Sequence, residues 1–159
     1  IELAERIGKI LLKKGRFLST AESCTGGLIG SIFTSVPGSS QWYKGGVIAY
    51  SDAVKTGVLR VPSSVIEAKG AVSREAVLAM ADGVKKLTGA DISISISGVA
   101  GPRGGTLEKP VGTVWMAVCG WDLVSAEMRW FAGDRNVVRM SAADYLLRKL
   151  YGLLEKEDK

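Results

Sequence analysis

No histidine occurs anywhere in the 159 residues. That absence takes imidazole out of every catalytic and metal-binding argument, so a serine nucleophile in this chain cannot rely on a Ser-His-Asp arrangement. Lysine, as a neutral amine, is the remaining plausible base. Cysteine is nearly absent as well, and Cys24 and Cys119 match no zinc-ligand spacing, while no tight carboxylate cluster stands in for histidine. Neither a disulfide nor a structural metal is expected. No apolar run approaches the ~18 residues that span a bilayer, and the N-terminus lacks a signal-peptide pattern. A cytoplasmic protein without membrane contact is the expectation. The chain starts at Ile1 rather than methionine, which leaves room for an upstream domain in a longer polypeptide.

Positive charge is in modest excess, with 21 Lys and Arg against 16 Asp and Glu, giving +5. This suits anionic ligands. The basic residues are scattered singly or in pairs, such as Lys13-Lys14 and Lys85-Lys86, without the basic-aromatic stripe of a single-strand binder, so no nucleic acid is expected. Hydrophobic residues at 47% and charged residues at 23% are ordinary for a globular domain. Glycine, at 20 residues, is over-represented and crowds near 26–27, 45–46, 98–105 and 133. These are places where backbone can approach a ligand closely.

Apolar residues at helical spacing predict a helix over 3–14 closed by Gly15, then a strand over 17–21 and a helix over 27–33. A second strand over 47–50 runs into Ser51-Asp52, either of which can cap a helix through Lys55. Ser73 is placed to cap a helix ending at Thr88-Gly89. The strict Ile/Ser alternation of 92–97 is a strand with one small face, open to a helix or a ligand, and it enters the glycine-rich 98–105 loop. A hairpin over 111–119 and 124–131, joined through Gly120-Trp121-Asp122, and a closing helix over 136–154 complete the pattern. The expected fold is α/β, a layered α/β/α sandwich around a mixed, mostly parallel sheet of about five strands. One domain covers 1–154, with a loose charged tail at 155–159.

In an open α/β sheet, loops at the carboxyl ends of the strands gather in one crevice. Ser23, Tyr50, Lys55 and the 98–106 loop would then meet, giving a Ser-Tyr-Lys relay. For Lys55 to act, its pKa must move from ~10.4 to near 7, roughly 4.6 kcal/mol of environmental effect. Burial, the start of a helix or a nearby arginine such as Arg135 are candidate sources. Backbone N–H groups around Thr25 and Gly26 are candidate oxyanion donors. Ser23 also fits a plain helix cap, and Cys24 is a rival nucleophile. The 98–106 loop fits neither the Walker A nor the dinucleotide pattern, but its amides can form an anion nest beside Arg135 or Arg139.

Ala21-Glu22-Ser23-Cys24-Thr25-Gly26-Gly27, Val36-Pro37-Gly38-Ser39-Ser40, Gly45-Gly46-Val47-Ile48-Ala49-Tyr50, Gly70-Ala71-Val72-Ser73, Ser97-Gly98-Val99-Ala100-Gly101-Pro102, Lys109-Pro110-Val111-Gly112-Thr113-Val114-Trp115 and Gly133-Asp134-Arg135 together resemble the CinA C-terminal domain family. The resemblance covers nearly the whole chain. It implies a deamidase that hydrolyses nicotinamide mononucleotide to nicotinate mononucleotide and ammonia, needing no metal or cofactor and working as a homo-oligomer. The family's serine, tyrosine and lysine fall on Ser23, Tyr50 and Lys55. Thr25, Gly26, Gly27, Ser39, Gly46, Ser97, Gly98, Gly101, Gly105, Arg135 and Arg139 are the implied oxyanion and substrate contacts. Whether the phosphate sits on the Thr25-Gly26-Gly27 turn or on the 98–106 loop with Arg135 and Arg139 is left open. Asp52 stands where the family often has asparagine, and Arg103 occupies a variable loop position. A nearby Asp52 would favour protonated Lys55. Two alternatives stand beside this reading: a non-catalytic nucleotide-binding or interaction module, and an amidase for another small amide.

Overall fold

The computed structural model of the chain describes residues 1–158. Five strands form one sheet: β1 (Leu18–Glu22), β2 (Tyr43–Ile48), β3 (Ile92–Gly98), β4 (Thr113–Gly120) and β5 (Leu123–Trp130), in the order β2-β1-β3-β4-β5. β1 pairs in parallel with both β2 and β3, whereas β3 with β4 and β4 with β5 are antiparallel. The sheet is mixed as expected, but its pairings divide evenly and β4 alone runs against the other strands. The reason is local: β4 and β5 are joined by a tight hairpin, which can connect only antiparallel neighbours.

The hairpin turn is shorter than the sequence suggests. Gly120 belongs to β4, and only Trp121 and Asp122, at φ 55° and 61°, form the connection. Two consecutive left-handed residues make a type I′ turn, whose twist matches that of the strands. β2 begins at Tyr43, four residues before the predicted start, because Gly46 lies flat against β1: a Cβ there would stand 2.1 Å from the Thr20 hydroxyl. Ala49 and Tyr50 leave the sheet.

Helices cover both faces. α1 (Glu2–Lys14), α2 (Leu28–Thr34) and α6 (Arg135–Asp158) pack with Ile92, Ile94 and Ile96 of β3 in the principal core. On the other face lies α5 (Arg74–Thr88), next to the short α3 (Asp52–Gly57) and α4 (Ser63–Lys69). The Ile/Ser alternation of β3 thus separates two layers. Its small face receives α5, and the buried Ser93 and Ser95 hydroxyls each donate a 2.5 Å hydrogen bond to α5, at Ala81 and Val77 carbonyls. Without those acceptors, burying two hydroxyls would be costly.

The helix ends follow their predicted signals. Gly15 and Gly89 close α1 and α5 at φ 62° and 71°, and Ser73 Oγ accepts from the Ala76 N–H at the start of α5. α4 and a 3₁₀ turn over Ser39–Gln41 have no counterpart in the sequence reading. α6 continues through Glu155, Lys156 and Glu157, so these charged residues form helix rather than a loose tail; Lys159 lies outside the described residues. The carboxyl ends of β1, β2 and β3 lie at one end of the sheet, and β5 finishes there too, so α6 starts beside them.

Candidate active site

β1 ends at Glu22, and the chain turns sharply before α2. Ser23 occupies that turn with only 7% of its surface exposed. Its N–H donates to the Ile96 carbonyl at 3.0 Å, and its carbonyl accepts from Gly26 N–H at 3.0 Å, so the backbone of the nucleophile candidate is held from both sides. Ser23 does not cap α2. That task falls to Glu22, whose buried carboxylate accepts from Ile29 N–H at 2.9 Å, Gly30 N–H at 3.0 Å and the Thr25 hydroxyl at 2.7 Å. A carboxylate at a helix start satisfies orphan donors and complements the helix dipole.

The Ser23 hydroxyl faces Lys55. From α3 the Lys55 ammonium nitrogen reaches Ser23 Oγ at 3.1 Å and the Tyr50 carbonyl oxygen at 3.1 Å, with 1% of the residue exposed. Ser51 makes this possible by capping α3 through a hydrogen bond from Val54 N–H at 3.2 Å, which brings Lys55 round to the inner side of the short helix. Burial pushes the Lys55 pKa down, while Asp52, with a carboxylate oxygen 3.9 Å away, opposes the shift. Burial is the larger effect, since Asp52 is well exposed and its field is screened by water.

Cys24 is a poor rival. Burial raises its thiol pKa to about 11. At neutral pH the thiolate fraction is then on the order of 10⁻⁴, and the thiolate is the nucleophilic form.

Ser23 and Lys55 open onto a cavity of about 360 Å³ lined also by Tyr50, Ser97, Gly98, Gly101 and Arg135. Tyr50 meets Lys55 through its carbonyl and not its hydroxyl. The phenol is mostly exposed and accepts a 3.0 Å hydrogen bond from Arg135 Nη2. Arg135 Nη1 donates to the Gly101 carbonyl at 2.7 Å, so one guanidinium joins the turn after β2 to the glycine-rich loop after β3. This arginine is the first residue of α6. Its side chain is positioned because Asp134 caps that helix, accepting from Val137 N–H at 2.9 Å.

The other predicted contacts lie outside the cavity lining. Gly27 and Gly46 line a separate small recess beside Tyr43, where Gly46 serves the β1–β2 packing described above. Ser39 is buried in the 3₁₀ turn. Gly105 packs against the chain at Val111, where a Cβ would stand 2.8 Å from the backbone nitrogen. Gly26 N–H is committed to the Ser23 carbonyl, and the Thr25 side chain is committed to Glu22. Arg139 reaches the carbonyls of Cys24 and Thr25 at 3.0 and 3.1 Å. Sequence reasoning passed over Glu22, whose three partners are visible only once α2 is placed. It also gave Arg103 no role beyond a variable loop position, although Arg103 and Gly104 line the cavity.

Fold and site define a three-layered α/β protein with a buried serine–lysine pair at the carboxyl end of its parallel strands. The chain belongs to the CinA C-terminal domain family, which matches residues 1–154. It is 47% identical over 148 residues to a nicotinamide-nucleotide amidohydrolase, PncC, of Enterobacter agglomerans, covering 92% of this chain and 90% of that one. A CinA-like protein of Geotalea uraniireducens is 44% identical over 155 residues; they span 95% of this chain but 37% of that longer relative. Among solved structures, a competence-damaged protein (CinA) superfamily protein of Klebsiella pneumoniae superposes with a TM-score of 0.93 at 36% identity, covering 98% of this chain and 97% of that chain.

Proposed function

We propose that the chain is a nicotinamide mononucleotide amidase with Ser23 as nucleophile and Lys55 as its base. The 3.1 Å approach of a buried lysine amine to the Ser23 hydroxyl carries the reading, because it supplies the proton acceptor that a histidine-free chain needs. The amidohydrolase relative, matched over nine-tenths of its own length, supports the substrate class. Ser23 Oγ bonds to the carboxamide carbon as its proton passes to Lys55. Lys55 then returns that proton to the departing nitrogen, ammonia leaves, and water activated by the same amine cleaves the acyl-enzyme.

Arg135 and Arg103, on the rim of the cavity, are the proposed phosphate contacts. The Thr25-Gly26-Gly27 turn suits an anion poorly, since the Glu22 carboxylate already fills the start of α2. Tyr50 is proposed to orient Arg135 through the phenol and Lys55 through its carbonyl. Among the described residues no helix is long and apolar enough to cross a membrane. Work in the cytoplasm as a homo-oligomer, alone or within a longer polypeptide, is part of the proposal.

Ammonia release from nicotinamide mononucleotide tests the activity. Wild type should turn over, with Ser23→Ala and Lys55→Ala each losing at least ~10³-fold in kcat. Saturable binding without turnover would make the chain a nucleotide-binding module, and a better substrate in a panel of carboxamides would reassign the amide.

A further inference from the structure

β5 inverts the polarity usual for a strand covered on one side. Its side chains alternate between two faces, and the β4–β5 register fixes which residues share each. Leu123, Ser125, Glu127 and Arg129 lie toward α6, where Leu123 joins the principal core and Glu127 accepts from Tyr145 and Lys149. Val124, Ala126, Met128 and Trp130 stand opposite Cys119, Ala117, Trp115 and Thr113, on the face that carries α5. The charged set is therefore the covered one. On the other face α5 packs with Ala117 and Ala126, but Val124, Met128 and Trp130 keep 71%, 48% and 59% of their surface exposed. A strand with one solvated face ordinarily turns its polar residues that way.

The open face matches itself. Side-chain size rises along the strand, from Val124 and Ala126 to Met128 and Trp130. Two copies related by a two-fold axis, their β5 strands antiparallel, would set Trp130 against the partner's Val124 and Met128 against the partner's Ala126. Each pairing joins a large side chain to a small one, which is how two facing sheets fill the space between them. None of the four residues is charged, so two copies of a chain with net charge +5 meet there without like-charge repulsion. The three exposed side chains offer on the order of 400 Å² of apolar surface, about half of the ~800 Å² that one partner gives to a standard interface, and a polar rim supplies the remainder.

Pairing along the strand edge is obstructed. The two-residue turn makes Gly120 and Leu123 a hydrogen-bonded pair, so Ala126, three residues on, falls in a non-hydrogen-bonded pair and turns its carbonyl outward. That carbonyl accepts from Arg74 Nη1 at 3.2 Å, which interrupts the middle of the edge and leaves the face as the surface open to a partner.

We propose that the α5-side face of β5 is the interface of a two-fold homodimer of this chain, with Val124, Met128 and Trp130 at its apolar centre. This gives the homo-oligomer of the proposed function a surface, and it rests on that part of the reading alone.

Sedimentation equilibrium of the purified chain tests it without any substrate, so the result stands whether or not the chain releases ammonia. Wild type at micromolar concentration should run at twice the 16.8 kDa chain mass. Met128→Lys brings two ammonium groups close to the axis and should raise the dimer dissociation constant at least about 100-fold, while Leu12→Lys, an exposed apolar position on α1 across the sheet, should leave it unchanged. Val124→Lys and Trp130→Glu should each weaken the dimer to a similar degree and, combined in one chain, regain most of it. Residues 124 and 130 lie about 20 Å apart on one strand, so that rescue can only occur between chains. A monomeric wild type overturns both the interface and the homo-oligomer, and leaves the face to another partner or to a further segment of a longer polypeptide. An assembly that Met128→Lys leaves intact, or that Leu12→Lys dissolves equally, keeps the homo-oligomer but overturns this interface. Failure of the paired substitution to rescue overturns the antiparallel two-fold. Should Trp130→Glu lack a cooperative thermal transition, Met128→Lys, at a half-exposed position, decides alone, and an unchanged dissociation constant there overturns the proposal.

Discussion

At the scale of single residues the proposed chemistry turns on whether Lys55 is neutral. Burial lowers its pKa and Asp52 raises it. As a base it works only when deprotonated, so kcat/KM should fall as pH drops through that pKa. Asp52→Asn removes the opposing charge 3.9 Å away, which lowers the pKa further and should move the acidic limb to lower pH. The displacement should shrink in high salt because Asp52 is exposed; a limb that stays in place would remove Asp52 from the tuning of Lys55. The same burial has a stability consequence. A lysine whose native pKa lies below its unfolded value of ~10.4 burdens the fold most where it is charged, below the native pKa, and this penalty fades as pH rises toward ~10.4. Lys55→Met should therefore abolish turnover yet raise Tm by roughly 2–4 °C at pH 7, with a smaller gain near pH 10, as read by thermal denaturation at both pH values. Cys24→Ala should keep kcat within about threefold, since a thiol with a pKa of about 11 contributes little thiolate.

At the scale of elements, the short helices and the turns between them place the chemistry. α3 has six residues, too few to persist alone, and depends on its Ser51 cap and on Lys55 being held inside. α5 packs by close backbone approach on the segment that joins α3 to α4: a Cβ on Gly83 would stand 2.0 Å from the Leu59 carbonyl oxygen. Gly83→Ala should thus cost about 1–3 kcal/mol by overpacking despite its better helix propensity, seen as a lower denaturation midpoint at unchanged m-value. Much at this scale was legible in the sequence. Gly15, Ser73 and Gly89 marked helix ends correctly because caps are local interactions between neighbours in the chain. The start of β2 was not legible, because Gly45-Gly46 reads as a break until β1 is seen to need a neighbour without a side chain opposite Thr20.

At the scale of the whole molecule, net positive charge and a cavity rimmed by Arg103 and Arg135 favour an anionic substrate. The kcat/KM for nicotinamide mononucleotide should fall as ionic strength rises, whereas nicotinamide riboside, lacking the phosphate, should show a much weaker dependence; equal slopes would place the phosphate outside this rim. The sequence by itself determined the layered α/β class, the position of Ser23 at a strand-to-helix junction and, for the proposed serine nucleophile, the exclusion of a histidine base. Periodicity, capping and the absence of histidine are properties of the chain read in order. Only the tertiary structure decided that Lys55 reaches Ser23, that the Tyr50 hydroxyl accepts from Arg135, that Glu22 and not Ser23 caps α2, and that Arg139 holds the turn after Ser23 while Arg103 lines the cavity. Each of these depends on which partners lie within about 3 Å across distant segments, and on how much water is excluded between them. Neither is set until the sheet has brought its strand ends together.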